Sequence, residues 1–133
     1  MKEEQPVDPS ASLPIKVRSR VEYLADQSDP ERRRFVFAYR ILISNESAEP
    51  VQLMSRYWLI TDGNGESREV KGQGVVGEQP VIKPGDTYIY TSGAITETEV
   101  ATMQGHYVMR RDDGRAFAAD IPVFTLAVPN RVN

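Results

Sequence analysis

Hydrophobic and polar residues alternate with a period of two along most of this 133-residue chain, the pattern of strands that bury one face. Over residues 15–23, Ile15, Val17, Val21 and Tyr23 fall on one side and Lys16, Arg18, Arg20 and Glu22 on the other. That predicts a half-buried antiparallel strand. Residues 35–43 differ: Phe35, Phe37, Tyr39, Ile41 and Ile43 line one face, and Val36, Ala38 and Leu42 make the other mostly apolar too. A strand apolar on both sides belongs at the centre of a sheet. Further strands are expected over residues 51–61, 68–71, 81–82, 87–91, 101–111, 115–121 and 123–128.

Turn chemistry separates these stretches. Residues 26–31 contain Pro30 and read as a loop, as do residues 45–50. Asp62-Gly63-Asn64-Gly65 predicts a hairpin in which Asn64 and Gly65 both take positive φ. Pro84-Gly85 fits the centre of a type II turn. Asp112-Asp113-Gly114 marks a second hairpin. Residues 96–102 have room for one helical turn at most, and no long amphipathic helix is legible. Eight or nine short strands predict an all-β domain of two antiparallel sheets packed face to face. The domain is expected over residues 13–133. Residues 1–12, polar and carrying Pro6 and Pro9, are expected to form a flexible N-terminal arm.

Composition narrows the function classes. Cysteine is absent, which removes disulfides and thiolate metal sites and fits a reducing compartment. The N-terminus lacks the apolar core of a signal peptide, and no apolar run approaches 18 residues. No membrane span and a cytoplasmic location are therefore expected. A net charge of −3 argues against a dedicated nucleic-acid binder. Residues 16–40 are locally basic, densest at Arg32-Arg33-Arg34. Such a run reads as a solvated strand edge or as a contact patch for an acidic partner, with Lys16, Arg18 and Arg20 at its start.

Candidate chemistry is sparse. Gly72-x-Gly74-x-x-Gly77 has the outline of a dinucleotide loop, which requires a helix immediately behind it. Two β-branched residues, a glycine and Pro80 follow instead, poor helical material. The glycines then either allow bulges and close backbone approach or cup an anion with backbone N–H groups, Lys71 and Arg68 supplying charge. Asp62 to Glu66 lacks the sixth-position glycine of a calcium loop. His106 is the sole histidine and builds no zinc site alone. Asp112, Asp113 and Asp120 read as solvated carboxylates. Ser44, Ser55, Ser67 and Ser92 sit in no nucleophile elbow. No catalytic residues, cofactor or metal site are assigned, and the chain reads as a non-enzyme. Asn45-Glu46-Ser47 has the form of a glycosylation acceptor that goes unused without secretion. Trp58, in phase with Arg56 and Ile60, reads as a core anchor. Turned outward beside Tyr88 or Tyr90, it would instead supply an interaction hot spot.

One resemblance covers residues 17–128. The block Arg56-Tyr57-Trp58-Leu59-Ile60-Thr61-Asp62-Gly63 resembles the ApaG family. So does Gly72-x-Gly74-Val75-Val76-Gly77-x-Gln79-Pro80 after it. Pro84-Gly85, Tyr88-x-Tyr90-x-Ser92-Gly93, Met103-x-Gly105-x-Tyr107 and Phe124 extend the likeness. The resemblance implies an immunoglobulin- or fibronectin type III-like sandwich and a bacterial origin. It also implies links to cobalt resistance, magnesium efflux and diadenosine-tetraphosphate metabolism, and carries no established catalytic residues. ApaG-like domains of eukaryotic F-box and polymerase-interacting proteins imply protein–protein interaction. The leading expectation is a non-enzymatic binding module for an unidentified protein partner. The alternative is a small-ligand binder for pyrophosphate-containing nucleotides or metal-phosphate at the glycine run.

Overall fold

A computed structural model describes residues 5–130. Eight strands run in chain order: β1 (Ile15–Tyr23), β2 (Phe35–Asn45), β3 (Val51–Asp62), β4 (Ser67–Gln73), β5 (Val81–Ile82), β6 (Thr87–Thr96), β7 (Val100–Arg111) and β8 (Ala116–Ala127). They form two antiparallel sheets. One has the order β1-β2-β6; the other runs β4-β3-β7-β8, with the short β5 paired to β3. The doubly apolar β2 is central in its sheet, as its pattern predicts.

The core lies between the sheets. Phe37, Ile41 and Ile43 from β2 meet Leu53, Trp58, Tyr107, Met109 and Phe117 from the second sheet, all nearly solvent-free. Trp58 is 2% exposed and takes edge-on contacts from Tyr39, Tyr107 and Phe124. It is therefore the core anchor, and the outward orientation does not occur.

Two bulges set which residues face inward. The ladder between β3 and β7 shifts between Leu53 and Ser55, where Met54 is the extra residue. One added residue reverses the alternation, so Val51 and Leu53 before it and Trp58 and Ile60 after it are all buried. A second shift falls opposite Gln104, where β8 carries an extra residue around Pro122 and Val123. The two strands expected over residues 115–121 and 123–128 are consequently one continuous strand with a bulge at the proline.

The connections differ in detail from the sequence expectations. Residues 26–31 hold two short 3-10 turns, Ala25–Gln27 and Pro30–Arg32. Residues 96–102 contain no helical turn; β6 runs on through Thr96. In the hairpin after β3 only Gly65 has positive φ, at 88°. Gly65 N–H donates to Asp62 O and Asp62 N–H to Glu66 O, a three-residue loop closed by a glycine bulge. The β7–β8 hairpin repeats this geometry at Gly114.

The segment expected as a flexible arm is tied to the sandwich at several points in its described part, although most of its residues are exposed. Asp8 N–H donates to Ala116 O at 2.8 Å, and Ala11 is wholly buried in the core cluster. Arg111 Nη1 donates to Ala11 O at 3.1 Å, while the same guanidinium makes two 2.9 Å bonds to the Glu49 carboxylate. Residues 1–4 lie outside the described part. Asn45, first residue of the glycosylation-like triplet, is 1% exposed. Its Nδ2 donates to the carbonyls of Glu49 and Ile82, so the amide is a structural tie.

Candidate functional site

The glycine run opens no helix. After β4, Val75 and Glu78 exchange backbone hydrogen bonds in both directions (2.8 and 2.9 Å) across Val76 and Gly77. Val76 has φ 43° and Gly77 φ 82°, the two positive values of a type I′ turn. A β-branched residue in this region is strained by roughly 1–2 kcal/mol. Val76 is nevertheless 56% exposed, so core packing does not hold it there.

Gly74 is the point of close approach: a Cβ on it would lie 2.2 Å from Glu78 O. Its N–H donates to the carbonyl of the bulge residue Met54, which also accepts from Gln79 Nε2, both at 2.9 Å. The run is thus a small hairpin pinned on the β3 bulge. Gly74, Val75 and Glu78 spend their amides within the chain.

The cationic residues proposed around the glycines are not brought together. Lys71 Nζ sits 5.8 Å from the Tyr57 ring on the outer face of β3, where Tyr57 also stacks on His106 and donates to Glu69 Oε2. Arg68 faces the other way. Its Nη2 donates to the carbonyl of Ile95 on β6 at 2.6 Å, linking the open edges of the two sheets.

Behind that link lies a cleft of about 480 Å³ between β4 and β6. Trp58 and Tyr39 lie at its base, Val70 and Ile95 flank it, and Arg34, Arg56 and Arg68 supply its charge. None of its lining residues is acidic. Arg56 is in phase with Trp58 and Ile60, so it projects into the space between the sheets. Its Nη1 donates to Gln73 O and Gly74 O at 3.1 and 2.9 Å, and Gly72 beside it leaves room for the guanidinium. Trp58 Nε1 is the one buried side-chain polar atom without a hydrogen-bond partner among the described residues. Burial raises the Tyr39 hydroxyl pKa, opposed by a hydrogen bond to Ser92 and by the Arg56 charge.

The sheet edges differ in chemistry. The edge strand β1 exposes Lys16, Arg18 and Arg20 on one side, and β8 carries Asp120 and Pro122. The β4 edge has Arg68, Glu69 and Lys71. The ten residues of β6 include no charge and no proline, and Ile89 and Ile95 are 52% and 43% exposed. Val36, opposite Ile95, directs its N–H and C=O away from β6, to Ser28 and Leu24. Ile89, Thr91, Gly93 and Ile95 accordingly turn their backbone groups to the outer edge of the sheet, where the Ile95 carbonyl is taken by Arg68. Among the described residues no three of His, Asp and Glu gather as a metal site.

The ApaG domain family matches residues 25–111. The chain belongs to the ApaG family. Protein ApaG of Escherichia coli O1:K1 / APEC is 57% identical over 111 residues, 84% of this chain and 89% of that protein. Protein ApaG of Cronobacter sakazakii is 58% identical over the same length. The crystal structure of the ApaA protein from Bordetella pertussis superposes with a TM-score of 0.86 at 42% identity, covering 94% of this chain and 99% of that one. The strands that form the cleft and the β6 edge lie inside the ApaG match, whereas β1, with Lys16, Arg18 and Arg20, precedes it.

Arg56 and Tyr39 carry no site reading in the sequence; Arg34 reads only as part of the basic run 32–34, and Ser92 only as a serine in no nucleophile elbow. One signal existed for Arg56: a charge in phase with a buried tryptophan and isoleucine. The residues sit far apart in the chain, and no spacing connects them.

Proposed function

We propose that this ApaG-family chain is a non-enzymatic binding module that takes an extended segment of a protein partner onto the free edge of β6. Unpaired backbone groups on an edge strand recruit another strand unless charge, proline or a cover prevents it. The carrying observation is the contrast among edges: β1, β4 and β8 hold charges or proline and β6 has neither. The partner segment is one with alternating apolar residues, able to lie beside Ile89 and Ile95. On this reading the encounter occurs in the cytoplasm, and the family's association with cobalt resistance and magnesium efflux runs through the bound partner.

Thr91→Pro tests it. The Thr91 N–H faces the free edge, so proline there spares the bond ladder to β2 while removing a donor to an added strand. A photo-crosslinker at Gly93 is expected to capture a partner in cells, and Thr91→Pro or Ile89→Lys to abolish the capture. Arg18→Glu on the opposite edge is expected to leave it intact. Capture unaffected by the β6 variants would end the proposal, and so would a crosslink formed only to a second copy of this chain.

The alternative, pyrophosphate-containing nucleotides or metal-phosphate at Gly72, Gly74 and Gly77, has less geometric support because the Gly74, Val75 and Glu78 amides already have acceptors. Calorimetry with pyrophosphate and diadenosine tetraphosphate tests it; saturable heat lost in Gly77→Ala would restore it.

A further inference from the structure

We infer that the cleft between β4 and β6 is a binding site for a small organic anion: a carboxylate or phosphate head on a flat apolar body. This inference is independent of strand addition at β6. Three arginines, two of them exposed, line one 480 Å³ space with no acidic residue in its lining. Among the described residues none of the three pairs with a carboxylate. Arg56 is the strongest case. It projects half-buried between the two sheets, and its bonds are to two neutral carbonyls, weaker acceptors than an anion.

The rest of the cleft fits an apolar body. Val70 and Ile95 supply exposed branched surface, with Tyr39 and Trp58 packed beneath it, and the volume lies within the range of small-ligand sites. The indole N–H of Trp58 still lacks an acceptor. Arg68 holds the mouth through a bond to a neutral carbonyl, Ile95 O. An anionic head is the stronger acceptor, so a ligand can draw Arg68 off Ile95 and bind it together with Arg56.

Trp58 is the only tryptophan, so the indole N–H gives a single, unambiguous cross-peak in a proton–nitrogen NMR spectrum of the full chain. Titration with 1-naphthyl phosphate and with 1-naphthoate is expected to move that peak saturably. The tighter of the two identifies the head group. Inorganic phosphate, lacking the apolar body, and 1-naphthalenemethanol, lacking the charge, are each expected to bind at least about tenfold more weakly, since burial of an aromatic body in the first case and one charge-assisted bond in the second is worth that much. Arg56→Gln and the exposed Arg68→Gln are expected to weaken the anion by a similar factor while the remaining spectrum stays folded. If Arg56→Gln unfolds the chain, Arg68→Gln alone decides. An unmoved indole peak at about 5 mM of either anion would overturn the inference. Equal affinity for the neutral naphthyl compound, or an unchanged affinity in Arg68→Gln, would do the same.

Discussion

Arg56 lies against Gly72 in the ladder that joins β3 to β4, so closely that a Cβ on residue 72 would sit 2.7 Å from Nη1. The missing side chain is what lets the guanidinium fold back onto the carbonyls of Gln73 and Gly74. Gly72→Ala is therefore expected to displace Arg56 and cost about 1–2 kcal/mol for its two hydrogen bonds. In an Arg56→Ala background the same change should cost almost nothing, because Ala otherwise suits a strand better than Gly. Urea unfolding of the four variants measures the coupling, and additive losses would contradict the contact.

Val76 carries strain at the tip of the glycine-run hairpin. Asn occupies positive φ far more readily than Val. Val76→Asn is expected to stabilise the chain by about 1 kcal/mol, read as a higher urea midpoint. A lower midpoint would mean that the exposed valine makes a contact worth more than its strain. A gain in stability accompanied by weaker partner capture would place Val76 in the binding surface.

Alkaline pH should unfold this protein sooner than its charge alone suggests. Tyr90 and Tyr107 share a hydroxyl–hydroxyl hydrogen bond between the sheets, and burial, the largest cause for each, pushes both pKa values well above the tyrosine range. The unfolded chain releases these protons near pH 10 while the folded chain keeps them. Their contribution is thus complete below about pH 10 and declines as pH rises toward the folded values, by about 1.4 kcal/mol per pH unit for each group. Tyr107→Phe should flatten that decline by one group's share. Stability measured by urea at pH 8, 10 and 11 checks it; identical slopes in wild type and variant would refute it.

Arg111 fastens the segment before β1 by holding Glu49 with two nitrogens and Ala11 O with the third. Lysine cannot reproduce that fork. Arg111→Lys is expected to speed cleavage within residues 5–14 by a broad-specificity protease, with the sandwich itself left resistant. Cleavage at the wild-type rate would show that burial of Ala11 suffices to dock the segment.

The hairpins illustrate how far local sequence reaches. Asn64-Gly65 and Asp113-Gly114 mark where the chain turns, but a neighbouring register of one residue separates a two-residue loop from the three-residue loops observed. That choice is made by the register of the strands on either side, which sets Asp62 against Glu66 and Arg111 against Arg115. Pro122 likewise reads as a break between strands. In the sheet it is tolerated because a bulge on the edge strand β8 absorbs it.

Alternation, turn residues and the doubly apolar stretch of β2 determined by themselves that this chain is two stacked antiparallel sheets, because burying one-sided strands leaves few other arrangements. The family motifs were equally plain. Which edge stays open, which way Arg68 faces and that Arg34, Arg56 and Trp58 share one cleft were decided only in three dimensions. Those residues come from different strands, and the Met54 bulge fixes the phase of β3 through pairing with β7. Period-two patterning records which side of a strand is buried; it does not record what lies across the gap.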